Sequence, residues 1–117
     1  MGLFDGFDAK IQKQAREELA MILPDGEEIE KVYIVKEDFC AFTSKRVVLI
    51  DKKLIGSKKS LTAIPYSKIN FVALKRGGMF TISKEVIIGT SGAQLEVDTY
   101  DTAQAYEIMK KISGKIA

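Results

Sequence analysis

The spacing of apolar residues divides this chain into a helix, a long region of strands and a second helix. In and just before the segment from Asp8 to Leu23, apolar side chains recur at steps of three and four residues, as on one face of an α-helix, at Phe4, Phe7, Ile11, Ala15, Leu19 and Ile22. Pro24, Asp25 and Gly26 then end the helical pattern with residues typical of a turn. Acidic and basic residues share the polar face, unlike most membrane-surface helices, so we expect the apolar face to pack on the domain or on a neighbouring subunit.

From Glu27 onward the apolar period changes to two, which predicts seven β-strands joined by short turns. The second and third strands form a hairpin about Ser44 and Lys45, and the third contains a continuous apolar run, as expected where both faces are covered. Pro65 cannot donate a backbone hydrogen bond, so we expect it at an edge or a bulge. The predicted strands cover residues 27–35, 39–43, 46–52, 61–66, 69–75, 79–89 with a bulge, and 93–98.

The helical period returns after Asp98. Asp101 and Gln104 fit the ends of a capping box, in which each side chain bonds the backbone N–H of the other residue. The apolar face of this second helix comprises Ala105, Ile108, Met109, Ile112 and Ile116. We therefore expect a mainly β protein whose seven strands curl into a small barrel or sandwich, capped by the C-terminal helix, with an additional N-terminal helix.

The composition favours one domain and offers little chemistry for catalysis. A chain of 117 residues can bury one core without disulfides, and its single cysteine, Cys40, lies within an apolar run. Histidine is absent, which removes Ser-His-Asp and Cys-His catalysis and most zinc sites. We expect Cys40 to be a buried structural thiol of a cytoplasmic protein, and we expect no enzymatic activity, metal, cofactor or small-molecule substrate.

Two sequence features carry a resemblance to a known family. They are the hairpin Thr43-Ser44-Lys45-Arg46 followed by an apolar strand, and the segment Ile64-Pro65-Tyr66-Ser67-Lys68-Ile69. Over residues 26–112 the chain resembles the bacterial pleckstrin-homology-like (PH-like) domains. The resemblance implies a PH-like domain over residues 26–117 that follows a helical extension over residues 1–25. It also implies a ring-shaped homo-oligomer, since several members of that group form rings.

The resemblance extends in fold to eukaryotic lipid-binding domains, which recognise phosphoinositides through basic residues around their first hairpin. In this chain Lys36 is followed at that turn by the acidic pair Glu37 and Asp38. We therefore expect no selective binding of inositol phosphates.

Charge is distributed unevenly along the chain, although the net charge is only +2. Residues 45–84 contain ten basic side chains and one acidic one, a net of +9, whereas residues 1–44 have a net charge of −5. Three interpretations remain open, namely a solvated surface, an interface between subunits, and a surface for anionic membranes or nucleic acid. Nucleic acid is disfavoured because the two phenylalanines of this block, Phe71 and Phe80, are expected in the core. The candidate basic contacts are Lys45, Lys52, Lys53, Lys58, Lys59, Lys75 and Arg76.

The basic block and the acidic segment that precedes it could meet head to tail in a homo-oligomer. The acidic residues of that segment are Glu27, Glu28, Glu30, Glu37 and Asp38. The candidate oligomer contacts are Phe4, Phe7, Ile11, Leu19, Glu37 and Asp38. We expect a structural role for Arg46, whose planar guanidinium would bind a nearby carboxylate or backbone carbonyls.

The leading functional hypothesis is a non-enzymatic, self-assembling interaction module. The alternative is a peripheral membrane module that binds anionic lipid surfaces non-specifically through residues 45–84.

Overall fold

The fold, taken from a computed structural model, is described for residues 5–35, 38–55, 58–76, 84–99 and 101–117. Side chains are described for residues 9–35, 39–49, 61–75, 84–99 and 101–117. Along the chain the elements are α1 (Asp5–Ile22), β1 (Ile29–Val35), β2 (Asp38–Thr43), β3 (Arg46–Ile55), β4 (Lys58–Pro65), a 3₁₀ turn (Tyr66–Lys68), β5 (Ile69–Arg76), β6 (Lys84–Thr90), β7 (Gln94–Thr99) and α2 (Thr102–Ile116).

The strands form two antiparallel sheets, one of four strands in the order β1-β2-β3-β4 and one of three in the order β5-β6-β7. The predicted mainly β fold with two flanking helices is confirmed in its sandwich form, and the closed-barrel form is corrected, because the described strands divide into two separate sheets. The division falls at Pro65, the last residue of β4, which lacks the N–H needed to extend a ladder. The 3₁₀ turn then leads the chain into β5.

The main core lies between the inner faces of the two sheets and the apolar face of α2. Strand alternation places Tyr33 of β1, Cys40 of β2 and Leu49 of β3 on the inner face of the first sheet. Helix α2 adds three residues of its predicted apolar face, all fully buried, namely Ala105, Ile108 and Ile112. From the second sheet the core receives Val86, Ile88, Leu95 and Val97.

A second, smaller core lies on the opposite face of the first sheet, under α1. Ala15 and Leu19 of α1 are 2% and 0% exposed, and they pack on side chains from three neighbouring strands, Val32, Phe39, Ala41 and Val48. The apolar run in β3 therefore has both of its faces covered, as its sequence predicts. Leu19 is buried inside the chain itself, so its predicted role as an oligomer contact is corrected. Ile11 of the same helix is half-buried.

Helix α2 begins with only half of the predicted capping box. The carboxylate of Asp101 accepts a hydrogen bond of 3.2 Å from the backbone N–H of Gln104, as expected for an N-cap. The Asp101 N–H donates instead to the Thr99 hydroxyl, at 3.0 Å. The Gln104 side chain is thereby free to bond outside the helix. The predicted start of the sixth strand at residues 79–82 lies outside the described residues, and β6 is seen from Lys84.

Candidate functional site

Arg46 stands at the start of β3, directly after the Ser44-Lys45 turn, and its guanidinium binds the carboxylate of Glu27. The distance from Arg46 Nε to Glu27 Oε2 is 2.8 Å, and Arg46 Nη2 lies 2.8 Å from Glu27 Oε1. Such a bidentate pair combines charge with fixed geometry. The Glu27 side chain is only 2% exposed and that of Arg46 is 26% exposed. The predicted structural role of Arg46 is confirmed.

Thr43 and Tyr66 extend this ion pair into a network between the α1–β1 linker and the β2–β3 turn. The Thr43 hydroxyl donates to Glu27 Oε2 at 2.6 Å and accepts from the Arg46 N–H at 3.0 Å. The Tyr66 hydroxyl donates to the Thr43 carbonyl at 2.7 Å. Burial alone would raise the pKa of Glu27, but the hydrogen bonds from Thr43 and Arg46 and the nearby positive charges outweigh burial and lower it. Through this network, two side chains of the Thr43-Ser44-Lys45-Arg46 hairpin attach it to the α1–β1 linker.

Two of the acidic residues predicted to face another subunit are paired within the chain. Glu27 binds Arg46, and Glu30 Oε1 lies 2.8 Å from Lys115 Nζ of α2. Glu28 is exposed. Glu37 lies outside the described residues, and Asp38 is described only as the first residue of β2. Phe4 also lies outside the described residues, and Phe7 is described only by its place in α1.

The basic candidates lie in the β2–β3 turn, on β3 and β4 of the first sheet, and on β5 of the second sheet. Lys45 is exposed in the β2–β3 turn, and Lys75 is exposed on β5. Lys75 Nζ lies 3.9 Å from Glu85 Oε2 of β6. The remaining candidates are placed by their backbones alone, on β3, β4 and the end of β5, and they are Lys52, Lys53, Lys58, Lys59 and Arg76.

The outer face of the second sheet carries an exposed aromatic residue that the sequence predicted in the core. Phe71 is 42% exposed, so that prediction is wrong. Its ring lies over Gly89, its partner on β6, where a Cβ atom would fall 2.1 Å from Phe71 Cε1. Ala73 and Ile87 form the next row of the same face, and both are half-buried.

Three carboxylates lie together at one side of this outer face. Oxygen atoms of Glu85, Glu96 and Asp98 come within 4.8 Å of one another. On β7 the exposed Glu96 and the half-buried Asp98 lie on the face opposite the buried Leu95 and Val97. Glu85 joins them because β6 pairs it directly with Asp98. Sequence reasoning missed this third member, since a cross-strand pair depends on register between distant residues.

A cleft of about 550 Å³ lies along the edge of β1 that faces away from β2, between α1 and the start of α2. The side-chain amide of Gln12 donates to the Val32 carbonyl at 2.7 Å, and that of Gln104 donates to the Ile34 carbonyl at 2.9 Å. The Tyr33 hydroxyl donates to Glu107 Oε1 at 3.1 Å. The sequence offered no signal for this cleft, because its walls come from opposite ends of the chain.

Cys40 is fully buried in the main core, as predicted. Burial raises the pKa of its thiol to about 12, which keeps it protonated and unreactive. Neither of the helices in the described residues has both the length and the apolar character to span a bilayer.

Comparison with known proteins gives one consistent family. The family model described as "Bacterial PH domain" matches residues 3–116. The chain is 37% identical over 100 residues to the uncharacterized protein YjqA of Bacillus subtilis (strain 168), covering 81% of this chain and 80% of that protein.

Two solved structures are similar to the whole fold. One is a pleckstrin homology domain from Shewanella amazonensis SB2B, with a TM-score of 0.68, 32% identity and coverage of 92% of this chain and 88% of that chain. The other is a protein with a pleckstrin-homology domain from Shewanella loihica PV-4, with a TM-score of 0.63, 28% identity and coverage of 90% and 92%. The family model matches nearly the whole sequence, and the two similar structures share its fold. The chain therefore belongs to the bacterial PH domain family.

Proposed function

We propose that this chain is a non-enzymatic interaction module that assembles with copies of itself. The observation that carries the proposal is the outer face of the second sheet. Phe71 is 42% exposed there, beside the half-buried Ala73 and Ile87. Apolar side chains gathered on one exposed face are typical of a protein contact.

The carboxylates beside this apolar strip favour a cationic partner. Glu85 Oε2 and Asp98 Oδ1 are shielded from water, and neither accepts a hydrogen bond from the described residues. Because these two atoms are closed to an incoming side chain as well, a lysine ammonium of a partner would bind the exposed Glu96, attracted by the combined charge of three carboxylates that lie within 4.8 Å of one another. The strands β3 and β4 of a second copy carry suitable residues, Lys52, Lys53, Lys58 and Lys59.

Such a contact would join the acidic face of one copy to the basic strands of another copy. The acidic face belongs to the second sheet, and the basic strands belong to the first. A contact between unlike surfaces is heterologous, and it builds a ring if the rotation closes. The apolar strip would supply most of the affinity, because exposed ion pairs contribute only about 0–1 kcal/mol each. Phe71 replaces Leu19 as the main apolar contact, since Leu19 of α1 is buried against the first sheet.

Light scattering at high micromolar concentration measures the mass in solution and tests the proposal. A chelator is included so that a metal ion does not bind the three carboxylates in place of the partner. We expect a mass several times that of one chain at about 0.05 M salt and a smaller mass at about 0.5 M salt, where screening is stronger. Phe71→Ser should lower the mass. Tyr106→Ser is the matched control, since Tyr106 is 48% exposed on α2, and it should leave the mass unchanged. A single-chain mass at low salt would refute the proposal.

The alternative function is a peripheral module that binds anionic lipid surfaces through the basic block. It is favoured by the exposure of three lysines of that block, Lys45, Lys68 and Lys75. Each basic residue near an anionic surface contributes about 1 kcal/mol, and salt screens this attraction. Sedimentation with phosphatidylserine vesicles at the same two salt concentrations tests it. Binding that is strong at low salt and absent with neutral vesicles would support this alternative, and no binding at low salt would exclude it.

A further inference from the structure

The cleft beside β1 has the size and the floor of a binding site for an extended peptide. Its volume of about 550 Å³ lies within the usual range for ligand sites, about 300–1,000 Å³. Its floor is an edge strand, because β1 pairs only with β2 in the first sheet as described. Edge strands present backbone donors and acceptors that another extended chain can pair with.

The acceptors of this edge are already bonded in the pattern that an added strand would use. Val32 and Ile34 are two residues apart, so their carbonyls point to the same side of β1, away from β2. Each accepts a hydrogen bond from a side-chain amide, Gln12 Nε2 at 2.7 Å and Gln104 Nε2 at 2.9 Å. Two amide groups from two helices thus occupy the positions that successive N–H donors of a neighbouring strand would take.

The walls of the cleft indicate the charge of the peptide. The wall formed by α2 and its cap carries the carboxylates of Asp101 and Glu107, beside the small residue Ala103. Among the described lining residues the cation is Lys31 of β1, and it lies on this same side, since its Nζ is 5.4 Å from the ring centroid of Tyr33, whose hydroxyl bonds Glu107. Two carboxylates thus face one ammonium. A peptide side chain that points toward α2 therefore meets net negative charge. Lysine or arginine satisfies that wall, whereas aspartate or glutamate is repelled.

We propose that this cleft binds an extended, basic segment of a partner protein by strand addition to β1. The backbone N–H groups of the segment replace the amides of Gln12 and Gln104 on the Val32 and Ile34 carbonyls. A lysine or arginine of the segment faces Asp101 and Glu107.

Titration of the full chain with synthetic peptides, followed by amide NMR, tests the inference. The probe is a blocked eight-residue peptide of alternating valine and threonine with two lysines on one side, and its twin has glutamates in their place. We expect the lysine peptide to shift the Val32 and Ile34 resonances and to bind at least about fivefold more tightly than the twin. Equal binding of the two peptides, or shifts elsewhere only, would overturn the inference.

Backbone N-methylation distinguishes strand addition from attraction by charge alone. Methyl groups on alternate peptide nitrogens remove either the donors that face β1 or those that face away from it. One of the two patterns should weaken binding about tenfold, because it removes two hydrogen bonds, and the other should change it little. If both patterns bind like the parent peptide, the peptide is not added as a strand.

The two glutamines provide a second, independent test. Gln12→Ala removes an amide that competes for the Val32 carbonyl, so the lysine peptide should bind about threefold more tightly. Gln14→Ala is the matched control, since Gln14 is exposed on the same helix, and it should change nothing. Glu107→Gln should reduce the preference for lysine over glutamate. The double variant Gln12→Ala with Gln104→Ala tests self-pairing. If its mass in solution doubles and it binds no peptide, the β1 edge of one copy pairs with that of another, and the inference is wrong.

Discussion

The outer face of the first sheet lies under helix α1, whereas the outer face of the second sheet carries exposed side chains. On the first, Leu19 is fully buried against β1, β2 and β3. On the second, Phe71 remains 42% exposed above Gly89. Both sheets share the core on their inner faces, so that core does not account for the difference. The comparison indicates that one outer face contributes to stability, whereas the other keeps its large aromatic side chain half-exposed in the described part of the chain.

The largest effect is expected from Leu19→Ala, which opens a cavity under α1. Truncation of a fully buried leucine usually costs about 2–5 kcal/mol of unfolding free energy. Chemical denaturation should show a loss in that range. Met21→Ala is the control on the same helix, because Met21 is 84% exposed, and it should change the unfolding free energy by less than about 0.5 kcal/mol. Equal effects of the two changes would mean that α1 does not hold the first sheet.

Glu27→Gln is expected to have the next largest effect and to change the response to acid. The substitution removes a charge from the pair with Arg46, at a cost of about 1–3 kcal/mol near neutral pH. Because the folded-state pKa of Glu27 is lowered, the charge stabilises the fold above the ordinary glutamate pKa. That contribution should be lost as the pH falls through the folded-state pKa.

Unfolding free energies measured from neutral to acidic pH check this prediction. The difference between the parent chain and Glu27→Gln should shrink as the pH falls through that range. Glu28→Gln, at an exposed neighbouring position, should run parallel to the parent chain. A gap that stays constant with pH would contradict the assigned role of the Glu27 charge.

Gly89→Ala tests the contact between β5 and β6 on the uncovered face. The added Cβ would lie 2.1 Å from Phe71 Cε1, so the ring must move. Overpacking typically costs about 1–3 kcal/mol, and a half-exposed ring can swing away, so we expect the lower end of that range. Gly92→Ala is the control, because a Cβ at Gly92 meets no atom within 4 Å. In a Phe71→Ala background the cost of Gly89→Ala should disappear.

The smallest effect on stability is expected from Phe71→Ala itself. A half-exposed ring on an outer face contributes little to the core, so the loss should stay below about 1 kcal/mol. The comparison with Leu19→Ala is then direct, since Leu19 packs on the outer face of one sheet and Phe71 lies on the outer face of the other. A loss as large as that of Leu19→Ala would show that Phe71 is a core residue, and the proposed contact surface would have to be abandoned.

The sequence pattern predicted which residues form strands, but it could not show which face each residue occupies after a bulge. Ile69 and Phe71 are two residues apart and should share a face. The register shift between them reverses the alternation, so Ile69 is buried at 7% exposure and Phe71 points outward. The prediction of Phe71 as core failed for this reason. In β7, where no register shift interrupts the alternation, Glu96 and Asp98 share one face as the sequence pattern requires.

Side-chain roles were predictable where the local sequence constrains them and unpredictable where the partner is distant. Arg46 follows a tight turn and precedes a buried strand, which indicates a structural role for its guanidinium. The sequence does not predict that its partner is Glu27. Gln104 fits a capping box by its spacing from Asp101, yet it bonds the carbonyl of Ile34. The candidate cleft depends on that contact between residues 70 positions apart, so no local pattern could reveal it.

Helix α2 follows both sheets in the sequence, and this order has a consequence for synthesis in the cell. Ala105, Ile108 and Ile112 complete the core that the two sheets share. A ribosome adds about 5–20 residues per second, from the N-terminus onward, so both sheets leave the exit tunnel before these three residues do. The nascent sheets must wait with their inner faces open to water. The shared core can therefore close only after α2 has been synthesised, however early the strands emerge.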